Sequence, residues 1–185
     1  MINQSDIDGA RQVIEGKLHR TPTLSASALG EIAGVNLFLK CEHFQKTGSF
    51  KPRGALNKLA HLSSQELGRG LVSASAGNHA QGLSYAARAF GAHATIVMPQ
   101  DAPQAKIDAV RGYGGEIVFA ESVNTMFDRM LELQREYGYT VAHPFDDPFV
   151  IAGQATAGME ILEDVPDAEF VLVPIGGGGL ISGIA

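Results

Sequence analysis

Short apolar segments alternate with segments of helical spacing along most of the chain. Their lengths and short connections predict strands and helices in strict alternation. This alternation predicts an α/β fold, in which largely parallel sheets are covered by helices on both faces and ligands bind at the carboxyl ends of the strands. The predicted strands are residues 36–44, 70–76, 94–99, 116–120, 139–145 and 169–175, and the predicted helices are residues 52–62, 78–90, 103–113, 123–137 and 149–163.

Glycine and proline mark the ends of several predicted helices. Gly91, Gly114 and Gly138 each follow a helical segment, where a left-handed residue commonly ends the helix. Pro52 and Pro103 stand where the first turn of a helix accepts proline. These residues support the predicted helix boundaries.

The regular βα units in the middle of the chain predict a small domain inserted into a larger one. The expected boundaries place the first part of the large domain at 1–69, the small α/β domain at 70–145, and the return into the large domain at 146–185.

Composition favours a protein that acts on small molecules. The 185 residues carry 14 Lys and Arg against 20 Asp and Glu, a net charge of −6, and this disfavours nucleic acid, whose binding depends on basic side chains. The single cysteine, Cys41, excludes an intrachain disulfide, and its apolar surroundings predict a buried side chain rather than a nucleophile. The six histidines have no metal-ligand spacing, so no metal site is expected.

The first twenty residues are charged and contain no apolar core of a signal peptide. The longest uncharged stretch, 170–185, is shorter than a membrane helix and is interrupted by four glycines. We therefore expect a cytoplasmic protein with no membrane partner.

Lys51 is a candidate catalytic residue because it precedes Pro52. Proline disfavours the helical conformation for the residue before it, so Lys51 is expected at a fixed corner with the helix starting one residue later. A fixed and partly buried amine suits Schiff-base chemistry, since burial lowers the pKa of lysine. A solvated lysine at a helix start is the alternative.

Four consecutive glycines, Gly176, Gly177, Gly178 and Gly179, follow the predicted strand 169–175. Their N–H groups can converge on an anion such as a phosphate, whereas a tight turn needs only one or two glycines. Neither a G-x-G-x-x-G nor a G-x-x-x-x-G-K-[ST] pattern can be placed here, and this disfavours NAD and ATP.

The segment 75–79 lies between a predicted strand and a predicted helix. Ser75, Gly77 and Asn78 at a helix N-terminus can present N–H groups and a hydroxyl to a carboxylate. An ordinary N-cap by Ser75 or Asn78 is the simpler interpretation of this segment alone.

Together these segments resemble the threonine and serine dehydratase branch of the fold-type II pyridoxal-phosphate enzymes. The resemblance is carried by SFKPRG at 49–54, SAGNHAQG at 75–82 and GGGGL at 176–180, in the family's order. It is supported by HPFDDP at 143–148 and VIAGQ at 150–154, and it spans essentially the whole chain.

The resemblance implies pyridoxal 5'-phosphate as cofactor and assigns roles to individual residues. Lys51 would form the Schiff base and act as the catalytic base. Phe50 would pack beside the cofactor, Asn78 would hydrogen-bond its 3'-oxygen, and the loop would bind its phosphate. The implied phosphate-binding residues are Gly176, Gly177, Gly178, Gly179 and Leu180, and the implied substrate-carboxylate residues are Ser75, Gly77, Asn78 and His79.

The implied reaction is β-elimination of L-threonine, or of L-serine, to a 2-oxo acid and ammonia. Racemases of this group usually carry a second serine before the glycine, where this chain has Ala76, so the resemblance favours a lyase over a serine racemase.

The family's large domain continues beyond the glycine loop and supplies the partner of the pyridine nitrogen. We therefore expect a truncated form of a dehydratase, which as a full-length protein would be a homo-oligomer. A catalytically silent fragment that binds pyridoxal phosphate is the competing hypothesis.

Overall fold

A four-stranded parallel sheet organises the computed structural model, which describes residues 2–185. The strands are β3 (Leu71–Ala74), β4 (Ala94–Pro99), β5 (Glu116–Ala120) and β6 (Thr140–Val141), in the order β5-β4-β3-β6. After β3 the chain runs outward through β4 and β5, and then returns to pair β6 with the opposite edge of β3. The direction of the chain across the sheet therefore reverses at β3.

The remaining elements surround this sheet and include a two-stranded antiparallel hairpin. The hairpin consists of β1 (Thr23–Ser25) and β2 (Phe38–Lys40), and 3-10 turns occupy Glu42–Phe44 and Val123–Thr125. The α-helices are α1 (Gln4–Ile14), α2 (Ser27–Ala33), α3 (Lys51–Ala60), α4 (Ser64–Arg69), α5 (Asn78–Ala89), α6 (Gln104–Gly112), α7 (Met126–Tyr137), α8 (Pro148–Asp164) and α9 (Gly179–Ile184).

Side chains of β3 and β4 alternate between two apolar clusters. Leu71 and Ile96 belong to a cluster with buried residues of α3, α5 and α6. Val72 and Val97 belong to a second cluster with buried residues of α7. Because neighbouring strand residues point to opposite faces, helices cover both faces of the sheet, as the sequence predicts.

Helices α3 and α8 cross at two glycines. A Cβ atom at Gly153 of α8 would lie 2.5 Å from the carbonyl oxygen of Arg53 and 2.5 Å from Cα of Gly54. A side chain at either glycine would therefore force the helices apart, and the pair brings the two backbones into direct contact.

Arg53 is fully buried beside this crossing, and every guanidinium nitrogen has a partner. Glu42 accepts bonds from Nε at 2.9 Å and Nη2 at 2.8 Å. Glu160 accepts from Nη1 at 2.7 Å and Nη2 at 2.9 Å, and the Thr156 hydroxyl accepts at 3.1 Å. Burial alone would lower the pKa of Arg53, but the bonds to Glu42 and Glu160 raise it, so the guanidinium stays charged.

His79 joins α5 to the strands β3 and β6. Its Nε2 atom lies 3.1 Å from the Ser73 hydroxyl and 3.2 Å from the carbonyl oxygen of Ala142, and Ser73 also donates to that carbonyl. Since a carbonyl only accepts, we place the imidazole proton on Nε2. Burial, followed by the positive charge of Lys51, lowers the pKa of His79 to about 3, so the ring is neutral.

Several predictions from local sequence patterns are confirmed in this fold. The strands at 94–99 and 116–120 have the predicted bounds, every predicted helix forms with its ends within three residues of the prediction, and Cys41 is buried. Gly91, Gly114 and Gly138 all have positive φ, as helix-ending glycines should.

The predicted strand at 169–175 is wrong for this structure. The segment forms no strand, and Phe170 and Leu172 are 85% and 88% exposed. The reason is that a strand needs a neighbour, and none of the six strands within residues 2–185 pairs with this segment.

Three further predictions need correction. Only Phe38–Lys40 of the predicted strand 36–44 is a strand, because a 3-10 turn begins at Glu42. The strand predicted at 139–145 is limited to Thr140–Val141. Pro103 is the N-cap of α6 rather than a residue of its first turn.

Two other predictions from the sequence, on domain boundaries and on a membrane helix, concern the chain as a whole. The domain boundaries at 70 and 145 stay a prediction, although every strand of the main sheet lies between them. None of the helices that the structure describes is both long and apolar enough to cross a bilayer.

We predict that Arg53→Met lowers the free energy of unfolding by about 3–5 kcal/mol, because Glu42 and Glu160 would lose their buried partner. Urea unfolding followed by circular dichroism measures this loss. The matched control is Arg11→Met, which removes an exposed pair with Glu163 and should leave stability nearly unchanged. Equal effects of the two substitutions would contradict the importance of the buried network.

We also predict a pH dependence of stability that comes from His79. Its pKa is about 3 when folded and 6.5 ordinarily, so between these values the unfolded chain binds a proton that the folded chain does not. Stability from this source is complete above pH 6.5 and falls by up to about 1.4 kcal/mol per pH unit as the pH drops toward 3. In His79→Gln the slope should be smaller, whereas the exposed His19→Gln should keep the wild-type slope.

Candidate active site

The site lies at the carboxyl ends of β3 and β6, where the direction of the chain reverses. Lys51 begins α3, and its Nζ atom donates a 2.8 Å hydrogen bond to the carbonyl oxygen of Pro144, which follows β6. The position of Lys51 departs from the sequence prediction, because Lys51 is already the first helical residue and an irregular loop, rather than a strand, precedes it. Phe50, as the N-cap of α3, takes the corner position instead.

The Lys51 amine has the electrostatics of a reactive lysine. Burial lowers its pKa, since a charged ammonium is poorly solvated in the interior. Its Nζ atom lies 5.3 Å from the centre of the Phe50 ring, within the range of a cation–π contact. Lys51 is thus half-buried at the helix start, which disfavours the alternative of a fully solvated lysine.

The N-terminus of α5 is open to an anion. Gly77 is its N-cap, and no side chain within the described residues caps the helix, so the interpretation of Ser75 or Asn78 as an ordinary N-cap is also wrong. The Ser75 hydroxyl instead accepts a 3.3 Å bond from the N–H of Gly77. A Cβ atom at Gly77 would meet nothing within 4 Å, so ligand atoms have access to this backbone.

His79 lies in the first turn of α5, but its imidazole is held by Ser73 and Ala142. These two contacts hold the imidazole in the interior of the fold, away from the helix N-terminus. Any contribution of His79 to carboxylate binding must therefore come from its backbone N–H. Asn78, the first residue of the helix, is exposed.

The glycine loop packs against Phe145, the residue after Pro144. A Cβ atom at Gly177 would overlap the Phe145 ring, and one at Gly179 would lie 2.8 Å from the Phe145 carbonyl oxygen. Gly178 has φ near +89°, which favours glycine, and Gly176 faces open space. Leu180 follows in the first turn of α9. Phe145 thus joins the loop to the Lys51 partner Pro144.

These segments fit a phosphorylated aldehyde. The amine suits the aldehyde, the side-chain-free loop offers a cradle for the phosphate, and the open helix end suits a carboxylate. The Ser49 hydroxyl, two residues before Lys51, is also buried without a partner in the part of the chain that the structure describes. Over the same residues, no three His, Cys, Asp or Glu side chains come close enough together to hold a metal ion.

A small apolar cavity adjoins the site, with a volume of about 190 Å³. It shares Pro144 and Phe145 with the contacts above, and it is lined by Ser73, Ala74, Phe127, Met130, Val141, Ala142, His143, Pro144 and Phe145. A larger cavity of about 470 Å³ lies around α2 and the β1–β2 hairpin, and none of the predicted site residues lines it. Size alone therefore does not identify the functional pocket.

Sequence reasoning missed the roles of Pro144 and Phe145. Pro144 contributes a backbone carbonyl, which has no signature in the sequence, and Phe145 acts through packing. The only available signal was their place in the segment HPFDDP, between a predicted strand and a predicted helix.

Comparison with known proteins agrees with this geometry. The family model described as "Pyridoxal-phosphate dependent enzyme" matches residues 14–185. The L-threonine ammonia-lyase of Thermotoga maritima is 50% identical over 186 residues, which cover 100% of this chain and 46% of that protein. This chain thus spans about half the length of that curated relative.

Two solved structures show the same fold. The structure of maize serine racemase superposes with a TM-score of 0.94 at 40% identity and covers 98% of this chain and 55% of that one. Threonine deaminase isoform 2 of Solanum lycopersicum gives a TM-score of 0.91 at 42% identity, covering 98% of this chain and 50% of that one. From the match over residues 14–185, the chain belongs to the family of pyridoxal-phosphate-dependent enzymes.

Proposed function

We propose that the protein catalyses the pyridoxal-phosphate-dependent β-elimination of L-threonine, with L-serine as a second substrate. The observation that carries this proposal is the half-buried Lys51 amine, which donates to the carbonyl of Pro144 next to the Phe145 that packs against the glycine loop. The uncapped helix α5 contacts the same lysine through Gly82. The relatives named threonine ammonia-lyase and threonine deaminase support threonine as the substrate. Since this chain spans half of such a relative, the proposed activity is that of the whole protein.

Different residues of the site would bind different parts of the cofactor. Pyridoxal phosphate, when bound, supplies an aldehyde that condenses with amines and a ring that accepts the electron pair left at Cα of the substrate. Lys51 would hold the aldehyde carbon, Phe50 would lie beside the ring, and Asn78 would donate to the 3'-oxygen. The backbone of Gly176–Gly179 and Leu180 would hold the phosphate.

The first turn of α5 would orient the substrate. The substrate carboxylate would accept hydrogen bonds from the backbone around Gly77 and Asn78, from the N–H of His79 and from the Ser75 hydroxyl. Burial lowers the pKa of Lys51 and so favours the neutral amine, the form that would take the Cα proton. The Pro144 carbonyl accepts a hydrogen bond from the amine and keeps it in place.

The reaction balances without an oxidant. The Cα–H and Cβ–O bonds of threonine break, and the proton and hydroxyl leave as water. The resulting enamine takes water back when its C–N bond is hydrolysed, so threonine yields 2-oxobutanoate and ammonia, and serine yields pyruvate and ammonia.

Serine racemisation is the second candidate, and the match to maize serine racemase supports it. Ala76 argues against it, because the residue offers no hydroxyl to deliver a proton to the opposite face of Cα. With the full-length protein, we expect 2-oxobutanoate from threonine in excess over D-serine from L-serine. The 2-oxo acid is measured as its hydrazone, and D-serine is measured by chiral chromatography. Excess D-serine would favour the racemase, and neither product would favour the catalytically silent binding protein.

Three predictions from the sequence remain proposals for the whole protein. We propose a small domain at 70–145 between large-domain parts at 1–69 and 146–185, a homo-oligomer in the full-length form, and a cytoplasmic location. The arrangement of the main sheet within 71–141 supports the first of them.

We predict that Lys51 is the residue that forms the Schiff base. Incubation with pyridoxal phosphate, reduction with borohydride and peptide mapping should place the adduct on Lys51. Lys51→Arg should abolish it, because a guanidinium keeps the charge but does not condense with the aldehyde. Replacing the exposed Lys17 by Arg should change nothing. A main adduct on another lysine of the wild-type chain would refute the assignment.

A further inference from the structure

Gly82 lies where α5 meets the start of α3. A Cβ atom at this position would lie 3.0 Å from Cβ of Lys51, 3.1 Å from its carbonyl carbon and 3.1 Å from the nitrogen of Pro52. These distances are shorter than ordinary van der Waals contact, and two of the three atoms belong to the backbone. A side chain at position 82 would therefore displace Lys51 itself.

Gly82 also lies on the same face of α5 as the first residue of that helix. It follows Asn78 by four residues, so both lie on the same face of α5. Asn78 begins the helix at the open N-terminus that we propose for the substrate carboxylate. The contact at Gly82 thus sets the spacing between the carboxylate site and the lysine.

We propose that Gly82 is a positioning residue for the Lys51 amine. The missing side chain lets α5 contact Lys51 and Pro52 directly, and this contact fixes the direction from which Nζ reaches its partners. The Pro144 carbonyl holds the other end of the side chain at 2.8 Å. The lysine is therefore held at its Cβ by one helix and at its amine by the segment after β6.

This inference rests on the role proposed for Lys51, but its geometry does not involve the cofactor. His79 on α5 is close enough to the amine for the charge of Lys51 to lower the pKa of the imidazole. His79 is buried and neutral, so it adds no positive charge beside the amine. Burial lowers the pKa of Lys51, and the close contact of α5 at Gly82 contributes to that burial.

Gly82→Ala tests the proposal through the pKa of one amine. The added methyl group should push Lys51 away by a few tenths of an ångström, admit water and raise its pKa toward that of an ordinary lysine. Competitive acetylation over a pH series, read by peptide mass spectrometry without cofactor, gives the pKa of Lys51, with Lys17 as an internal reference. The free-amine fraction at neutral pH should fall about tenfold for each unit that the pKa rises.

Two matched glycines serve as controls. Gly9 lies in α1, where a Cβ atom would meet nothing within 4 Å, so Gly9→Ala tests the general effect of alanine in a helix. At Gly115 a Cβ atom would collide with Ser84 on α5, so Gly115→Ala disturbs the same helix at a point that does not contact Lys51. Both variants should keep the wild-type pKa of Lys51.

Three results would contradict the proposed role of Gly82. A folded Gly82→Ala with the wild-type pKa of Lys51 and the wild-type rate of adduct formation would overturn the proposal. So would an equal rise of the pKa in Gly115→Ala, since the effect would then be general to α5. If Gly82→Ala is unstable, labelling in trimethylamine N-oxide favours the folded state. Failure to fold even there would make Gly82 a packing residue and also overturn the proposal.

Failure of the proposed function would look different. It would appear as a wild-type protein that forms no borohydride-stable adduct on Lys51. The acetylation experiment is independent of that result, because it needs no pyridoxal phosphate.

Discussion

The hydrogen bonds of the buried Arg53 guanidinium are the interaction on which the position of Lys51 depends. The guanidinium binds Glu42 before α3 and Glu160 on α8, two elements that are far apart in the sequence. Arg53 lies two residues after Lys51 on the same helix, and the Gly54–Gly153 contact brings the helix backbones together beside it. The start of α3 is thus fixed by charge-assisted hydrogen bonds and by direct backbone contact. Both are rigid constraints, and a Schiff-base lysine requires rigidity.

The candidate site offers backbone groups that suit anions and has few charged side chains. The α5 N-terminus and the glycine loop offer N–H groups, and the buried His79 is neutral. Lys51 is therefore the basic side chain at the centre, and burial favours its neutral form. These groups lie near the carboxyl ends of β3 and β6, where the direction of the chain across the sheet reverses. Parallel α/β sheets place ligands at such points because two loops diverge there and leave a crevice.

Much of this could be predicted because the responsible signals are local. The strands at 94–99 and 116–120 are continuous apolar runs between turn residues, and the sequence places them correctly. The segment 169–175 has the same pattern, but pairing with a neighbour, rather than pattern, decides whether a strand forms. Similarly, the motifs indicated Lys51 and the glycine loop, whereas the Pro144 carbonyl that binds Lys51 and the Glu160 carboxylate that binds Arg53 are each about a hundred positions away in the sequence. Such contacts arise only from the tertiary fold.

The central claim is that Lys51, the open end of α5 and the glycine loop form a single site for one phosphorylated aldehyde. A crystal structure of this chain soaked with pyridoxal phosphate tests it most directly. The account predicts electron density continuous with Nζ of Lys51 and a phosphate in contact with the backbone of residues 176–179. Density attached to a different lysine, or a phosphate bound away from the glycine loop, would contradict it.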